Sequence, residues 1–222
     1  MTFGSRALIR LGALKDNLNV IRNAAPDARV MAVIKANAYG HGMRAVAHTL
    51  DDVDAFAVAR LPEAVELHES GIEKPLVLLA GVLTRDELDE ALARGFEIVV
   101  HCMEQVDLLE SATSGAATVW LKFDTGMNRV GFDPADAEAL IARLQDSPGV
   151  NELRIMTHLA SADDLDGATT QDQLDAFLPI VDGFEGDVSI GNSPGTLGWE
   201  AVREARERFG FAGDNWVRPG IA

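Results

Sequence analysis

The chain has 222 residues, of which 47% are hydrophobic and 24% are charged, and this indicates one globular domain with a sizeable core. The formal net charge of −16 argues against nucleic acids and anionic membranes as partners, because an acidic surface is repelled by polyanions. The single cysteine, Cys102, excludes an internal disulfide and a cysteine-based zinc cluster, and no metal site is predicted.

The N-terminal residues are the first segment along the chain. Residues 1–6 lack the charged and apolar regions of a signal peptide, and no apolar run approaches the ~20 residues that span a bilayer. We therefore expect a cytoplasmic protein. Residues 7–11 are predicted to form a strand, and residues 1–11 form an N-terminal unit with no place in the pattern that follows.

From residue 12 to residue 222, short β-branched and apolar runs alternate with segments of helical spacing. Strands are predicted at 30–34, 54–58, 76–80, 96–100, 118–123, 153–157, 187–191 and 215–218. Helices are predicted at 14–24, 44–50, 62–70, 85–94, 103–111, 134–145, 170–184 and 197–209. This alternation predicts an α/β fold, a TIM-type barrel of eight βα units. Residues 14–24 are expected to cover the face beside the eighth strand.

Lys35 is the first candidate for chemistry. In a barrel of this kind the active site forms at the carboxyl ends of the strands, and Lys35 directly follows the predicted strand 30–34. Partial burial there lowers the pKa of an amine and makes it a nucleophile toward an aldehyde. Judged by its position alone, Lys35 is more commonly interpreted as an ordinary surface lysine.

Five motifs follow predicted strands in chain order. They are AVIKANAYGHG at 32–42, LKFDTGMNRVG at 121–131, THLA at 157–160, NS at 192–193 and RPGIA at 218–222. The first is similar to the cofactor-attachment motif of the alanine racemase family, and the others resemble motifs of that family. The resemblance implies a pyridoxal-phosphate-dependent isomerase that interconverts L- and D-alanine, supplies D-alanine for cell-wall peptidoglycan and is a homodimer in its full-length form.

The resemblance also implies a role for each matched residue. Lys35 corresponds to the lysine that carries the cofactor, and Arg218 to the arginine that contacts its pyridine nitrogen. Arg129 corresponds to the arginine near the phenolic oxygen and the substrate carboxylate, and His158 to a histidine that hydrogen-bonds the pyridine-facing arginine. The residues expected to hold the cofactor are Lys35, Tyr39, His158, Asn192, Ser193, Arg218, Gly220 and Ile221. Of these, Tyr39, Ser193 and the backbone amides of Gly220 and Ile221 are expected at the phosphate.

Residue chemistry adds to this interpretation and leaves alternatives open. Ser193 also fits a helix N-cap, which agrees with anion binding. Arg218 can only donate hydrogen bonds, so it would keep the ring nitrogen unprotonated and favour racemisation over transamination. Lys122 matches a lysine that is carbamylated in some members of the family, and a simple ion pair is equally admissible. His41 is expected to serve the turn after Lys35.

The sequence departs from the family in one respect. Alanine racemases continue into a β-rich C-terminal domain that supplies a tyrosine as the second acid/base across the dimer interface, and the only tyrosine here is Tyr39. The N-terminal strand of the family pairs with that domain. The chain is therefore expected to be a fragment or natural truncation of a racemase with low activity alone, or a non-catalytic carrier of pyridoxal phosphate. A barrel without cofactor would leave the five motifs unexplained.

Overall fold

The computed structural model describes Gly4 and residues 7–220. Eight parallel strands close into a barrel in chain order, with β8 paired to β1. The strands are β1 (Arg29–Val33), β2 (Ala55–Val58), β3 (Leu76–Leu78), β4 (Glu97–Val100), β5 (Ala117–Lys122), β6 (Val150–Met156), β7 (Val188–Asn192) and β8 (Asn215–Arg218). The predicted eight-stranded α/β barrel is confirmed, and each strand lies within a few residues of its predicted position.

Helices surround this barrel. They are α1 (Leu11–Ala24), α2 (Lys35–Tyr39), α3 (Met43–Thr49), α4 (Leu61–Glu69), α5 (Arg85–Arg94), α6 (Met103–Glu110), α7 (Ala137–Gln145), α8 (Thr169–Val181), α9 (Ser193–Gly198), α10 (Glu200–Arg203) and α11 (Ala205–Phe209), with a 3₁₀ turn at Pro134–Asp136. Helix α1 packs against α3 and α9, on the side of the barrel where a cover was expected. Within the described residues, no helix has the length and apolar character needed to cross a membrane.

The strand predicted at 7–11 is not formed. Residues 7–10 have no regular structure and are exposed, and Leu11 is already the first residue of α1. A strand needs a neighbour for its N–H and C=O groups, and no strand of the described chain lies beside this segment. Its pairing with a further domain stays a prediction. Residues 1–3, 5 and 6 of the predicted N-terminal unit lie outside the described residues.

The helix predicted at 197–209 is instead divided into α9, α10 and α11. Trp199 interrupts it with an extended backbone (φ −116°, ψ 110°), and its indole N–H donates to the carbonyl of Ala162 at 2.9 Å. Helix α9 begins earlier than predicted. Its N-cap is Asn192 rather than Ser193, because the Asn192 side chain accepts a hydrogen bond from the Gly195 N–H at 3.0 Å.

Buried residues form two cores. One lies between the strands and the helices. The other fills the middle of the barrel with inward-facing apolar side chains from most of the strands: Met31, Val33, Ala55, Ala57, Val77, Val99, Trp120, Met156 and Trp216. The barrel is therefore packed through its centre, and polar side chains lie at its two ends.

The amino end of the barrel interior holds a group that we call the amino-end cluster: Glu97, Trp120, Arg154, Asp187 and Trp216. The Arg154 guanidinium lies 3.4 Å from Glu97 and 3.4 Å from Asp187, and its centre is 5.2 and 5.3 Å from the two indole rings. The indole N–H of Trp120 donates to Glu97 at 2.6 Å, and that of Trp216 donates to Asp187 at 2.7 Å. The one cation of the cluster is thus paired with carboxylates on two sides.

Candidate active site

A cavity of about 570 Å³ opens at the carboxyl end of the barrel. It brings together every predicted site residue that the structure describes: Lys35, Tyr39, Lys122, Arg129, His158, Asn192, Ser193, Arg218 and Gly220. These residues come from the ends of β1, β5, β6, β7 and β8, which meet at one face because the strands are parallel. The remaining predicted residue, Ile221, lies outside the described residues.

The charges that line this cavity are all of one sign. Four cationic side chains contribute to it: Lys35, Lys122, Arg129 and Arg218. None of the described residues that line it is Asp or Glu, although the chain has 35 acidic and only 19 basic residues. The cavity is therefore a locally cationic site in an acidic protein, and it suits an anionic ligand.

Lys35 lies at the start of a left-handed turn. Ala36, Asn37 and Ala38 have φ values of 52° to 54°, and Tyr39 has 52°. This conformation costs roughly 1–2 kcal/mol for each non-glycine residue, so neighbouring contacts must hold it. Two of these are the Asn37 side-chain carbonyl, which accepts from the Met43 N–H at 2.8 Å, and His41, whose Nδ1 lies 2.8 Å from the carbonyl of Ala38. His41 thus serves the turn, as predicted.

The electrostatic surroundings of Lys35 favour a neutral amine. Burial lowers the pKa of Lys35, the charge of Arg129 lowers it further, and Glu63 opposes both effects. A lowered pKa increases the fraction of Lys35 that carries a free electron pair at neutral pH. This is the property required of a lysine that attacks an aldehyde.

The hydroxyl groups of Ser193 and Tyr39 lie close to the backbone amide of Gly220. The Gly220 N–H donates to the Ser193 hydroxyl at 3.0 Å, and the segment is held against β1 by a hydrogen bond from the Val33 N–H to the carbonyl of Pro219 at 2.9 Å. A Cβ atom at residue 220 would lie 3.1 Å from the Tyr39 hydroxyl, so glycine leaves room for that hydroxyl beside the backbone. The group forms a cradle that a phosphate fits.

Arg218 is buried below the cradle. Its guanidinium donates to the carbonyl of Thr157, the hydroxyl of Ser189 and the carbonyl of Ile190. Burial lowers the pKa of Arg218 to about 10, so the side chain stays charged at neutral pH. The hydrogen bond predicted between Arg218 and His158 is not formed, and the three bonds that are formed use only the two terminal nitrogens of Arg218. Burial, followed by the nearby cations, lowers the pKa of His158 to about 3, and its imidazole is neutral.

The loop after β5 presents Arg129 to the cavity. The Asp124 carboxylate accepts backbone N–H bonds from Gly126, Asn128 and Arg129 at 2.9–3.0 Å. At the base of the loop, the Lys122 ammonium donates to the carbonyl of Val130 at 2.6 Å. Asp124 thus shapes the loop, and its charge offsets only part of the lowering of the Lys122 pKa.

Lys122 is almost fully buried. Its burial and the charge of Arg218 lower its pKa to about 8. Within the described chain, a backbone carbonyl rather than a carboxylate lies within hydrogen-bonding distance of its ammonium, so the simple ion pair is not formed. The carbamylation suggested by the resemblance requires a neutral amine, and a pKa of about 8 provides one at mildly alkaline pH.

Sequence reasoning missed His101, which also lines the cavity. Its Nε2 lies 3.1 Å from the carbonyl of Ala80, and its backbone N–H donates to the Gln105 side chain at 2.8 Å. Gln105 in turn donates to the same Ala80 carbonyl at 2.9 Å. A usable signal was present, since His101 directly follows β4 just as the other site residues follow their strands.

The comparisons with known proteins agree on one family. The family described as "Alanine racemase, N-terminal domain" matches residues 9–222. The catabolic alanine racemase of Pseudomonas aeruginosa is 44% identical over 219 residues, which cover 98% of this chain and 58% of the relative. The alanine racemase of Yersinia pestis is 43% identical over 217 residues, 97% of this chain and 58% of the relative. The chain thus spans less than two thirds of the length of these relatives.

Solved structures give the same result. The crystal structure of biosynthetic alanine racemase from Pseudomonas aeruginosa superposes with a TM-score of 0.85 at 38% identity and covers 95% of this chain and 57% of that chain. The alanine racemase from Bacillus anthracis with bound L-Ala-P superposes with a TM-score of 0.80 at 27% identity, over 96% of this chain and 55% of that chain. The eight-stranded barrel of this chain is therefore shared with these solved structures.

Proposed function

Because the chain belongs to the alanine racemase family through its N-terminal domain, we propose that it is the pyridoxal-phosphate-binding barrel of an enzyme that interconverts L-alanine and D-alanine. The proposal includes a homodimer and a cytoplasmic location for the full-length protein, as the family implies. The name of the Bacillus anthracis relative records bound L-Ala-P, which favours an alanine-like substrate.

One observation carries the proposal. Four cations line a cavity that has no acidic residue among its described lining, in a chain of net charge −16. Such an excess of positive charge is unfavourable unless an anion binds there. Pyridoxal phosphate supplies a phosphate and a phenolic oxygen, and an amino acid supplies a carboxylate. These three anionic groups would offset the positive charge of the four cationic side chains.

The donor groups of the cavity fit the cofactor. Ser193, Tyr39 and the Gly220 amide would bind the phosphate, and Lys35 would form the covalent link. When bound, pyridoxal phosphate supplies an aldehyde that reacts with amines and a ring that withdraws electrons from the α-carbon of an amino acid. The neutral form of Lys35 is a nucleophile for the first purpose and a base for the α-proton on one face of the substrate.

The arginines would set the outcome of the reaction. Arg218 has only donors and is charged below a pH of about 10, so it would hold the ring nitrogen as an acceptor without a proton. This restricts charge delocalisation into the ring and favours return of a proton to the same carbon. Arg129 would bind the substrate carboxylate as a planar donor. A carbamate on Lys122 would orient Arg129 from below.

The second proton donor is not evident among these residues. Racemisation needs an acid/base group on each face of the substrate, and the chain contains one tyrosine, Tyr39, which is assigned to the phosphate. His158 is neutral and, with a pKa of about 3, a weak base. This observation favours a second candidate for the 222 residues alone, a carrier of pyridoxal phosphate with little turnover.

Binding is tested by comparing pyridoxal phosphate with pyridoxal, which lacks the phosphate. We expect the chain to turn yellow with the first and to bind the second far more weakly, because the cradle at Gly220 is left without its ligand. Equal binding of both would contradict the assigned cradle, and no binding of either would contradict the proposed function.

Turnover is tested by incubating the cofactor-loaded chain with L-alanine or D-alanine in heavy water. Loss of a positioned acid/base group typically lowers a rate by about 10² to 10⁴, so we expect slow racemisation. Deuterium should enter D-alanine faster than L-alanine, since the resemblance places the D-isomer proton on the Lys35 face. Racemisation as fast as in a two-domain relative would show that another residue of this chain replaces the tyrosine. No exchange into either isomer would favour the carrier.

A further inference from the structure

Glu63 does not line the cavity, yet its carboxylate contacts the ends of two strands beside Lys35. It is the third residue of α4, and one of its oxygens accepts from the Arg60 N–H at 3.2 Å, as in a capping box. The same oxygen accepts from the Ala59 N–H at 2.7 Å. The other oxygen accepts from the Ala36 N–H at 2.7 Å. Ala36 follows Lys35 in the chain, so Glu63 does more than cap its own helix.

The contact replaces a missing step of the barrel ladder. The Ile34 N–H donates to the carbonyl of Ala57 at 2.9 Å, and a regular parallel ladder would continue with the Ala36 N–H and the carbonyl of Ala59. That carbonyl instead accepts from the Ala80 N–H at 3.0 Å, on the side of β3. The Glu63 carboxylate takes its place and joins the ends of β1 and β2 where the left-handed turn begins.

The charge of Glu63 also reaches the lysine itself. Burial and Arg129 lower the pKa of Lys35, whereas Glu63 raises it. Lys35 in turn contributes to the low pKa of neutral His158. Glu63 is therefore tied to Lys35 through both the backbone and the electrostatic field.

We propose that Glu63 is a positioning residue for the attachment lysine: its carboxylate joins the ends of β1 and β2 and fixes the peptide that presents Lys35 to the cavity. The inference rests on the proposed function, because that function makes Lys35 the attachment point. A residue that only caps α4 would affect the stability of the chain without affecting the reactions of Lys35.

Glu63→Gln tests this, because it keeps the size of the side chain, removes the charge and turns an amide donor toward one of the N–H groups. Glu66→Gln is the control, since Glu66 lies on the same helix and forms an exposed ion pair with Arg44 at 3.3 Å. The first measurement needs no cofactor: acetylation of Lys35 by acetic anhydride is followed by mass spectrometry across pH. We expect its midpoint to move to lower pH in Glu63→Gln and to stay unchanged in Glu66→Gln.

The second measurement follows the attachment of pyridoxal phosphate to Lys35 by trapping with borohydride. We expect the attachment rate to fall about tenfold or more in Glu63→Gln when both chains are compared at a pH above their acetylation midpoints, where Lys35 is neutral in each, because small displacements of a reacting group have effects of up to about 10²-fold. If Glu63→Gln does not fold, Glu63→Asp is used in its place. The aspartate keeps the charge but is too short to contact both loops, so this variant should also attach the cofactor slowly.

The outcomes separate the two proposals. An unchanged or raised midpoint together with a wild-type attachment rate, even with reduced thermal stability, would overturn the positioning role, as would a wild-type rate in Glu63→Asp. A lowered midpoint with no attachment of pyridoxal phosphate in any variant would support the link between Glu63 and Lys35 and contradict the proposed function.

Discussion

Charged side chains are arranged in opposite ways at the two ends of the barrel interior. At the amino end, the charge of Arg154 is balanced by Glu97, Asp187 and the more exposed Glu152 at 2.7–3.4 Å. At the carboxyl end, four cations share a cavity whose described lining has no carboxylate. Opposite charges are therefore paired at the packed end of the barrel, whereas like charges face one another at the end with the cavity.

The difference indicates what each end is for. A buried ion must be paired or its folding cost is large, so the amino-end cluster holds the barrel together without any ligand. At the carboxyl end, burial lowers the pKa of Lys122, and the charges of Arg218 and Arg129 lower it further. That end is complete only with a bound anion. Each of the following changes tests one side of this contrast.

Replacing Arg154 with Met should have the largest effect on stability. The change leaves the buried Glu97 and the half-buried Asp187 without their cation, and breaking a buried pair from one side destabilises by about 3–5 kcal/mol. Urea denaturation measures the free energy of unfolding. Arg143→Met is the control, because Arg143 also binds two carboxylates but at the surface, where such pairs are worth about 0–1 kcal/mol. Equal effects of the two changes would mean that the ion pairs of the amino-end cluster contribute no more than surface ion pairs do.

Replacing Lys122 with Met should act in the opposite direction. The pKa of Lys122 falls from 10.5 to about 8 on folding, so the unfolded chain binds more protons between these values and stability rises with pH across that window. Below pH 8 the charged amine destabilises the fold by about 3 kcal/mol, and the lost hydrogen bond to Val130 offsets about 1 kcal/mol of the gain. We expect a net gain of about 1–2 kcal/mol at pH 7.

The measurement for Lys122 is urea unfolding at pH 7 and pH 9.5, without cofactor. In wild type, deprotonation of Lys122 should raise the free energy of unfolding between pH 7 and pH 9.5. In Lys122→Met, this contribution to the pH dependence should be absent. Lys74→Met, at an exposed position, should leave it unchanged. A Lys122→Met chain less stable than wild type at pH 7 would mean that the carboxyl end is not strained by its cations.

Replacing Tyr39 with Phe should have the smallest effect. The hydroxyl is one of several donors at the proposed phosphate site, and one hydrogen bond contributes about 0.5–1.5 kcal/mol. The dissociation constant of pyridoxal phosphate, measured by fluorescence titration, should rise about 3- to 10-fold. The free energy of unfolding without cofactor should stay the same, because Tyr39 is 44% exposed. An unchanged dissociation constant would remove Tyr39 from the cradle.

The fold was predictable because it depends on patterns that repeat. Each strand is a short buried run such as 30–34, bounded by turn residues, and eight of them alternate with helices. The division of the last predicted helix was not predictable, because it depends on the contact between Trp199 and Ala162, which are distant in sequence. The start of α9 was indicated to within one residue, since Ser193 fits an N-cap in the sequence and Asn192 holds that position in the structure.

The placement of a site residue was predictable wherever it lies at the carboxyl end of a strand within a specific motif, as Lys35 and Arg218 do. The left-handed turn at 36–39 was not, because a run of non-glycine residues in that conformation is unfavourable locally and is held by contacts with residues outside it, such as Met43 and Glu63. Glu63 was missed for the same reason. Its local pattern is that of a helix cap, and its contact with Ala36 appears only when β1 and β2 lie side by side.

The central claim is that the cationic end of the barrel holds pyridoxal phosphate through a covalent link to Lys35. Its most direct test is reduction of the cofactor-loaded chain with borohydride, followed by proteolysis and mass spectrometry. We expect one modified peptide, which carries the reduced cofactor on Lys35, and no modification in Lys35→Arg. Modification of Lys15, Lys74 or Lys122 instead, or a label that persists in Lys35→Arg, would contradict it.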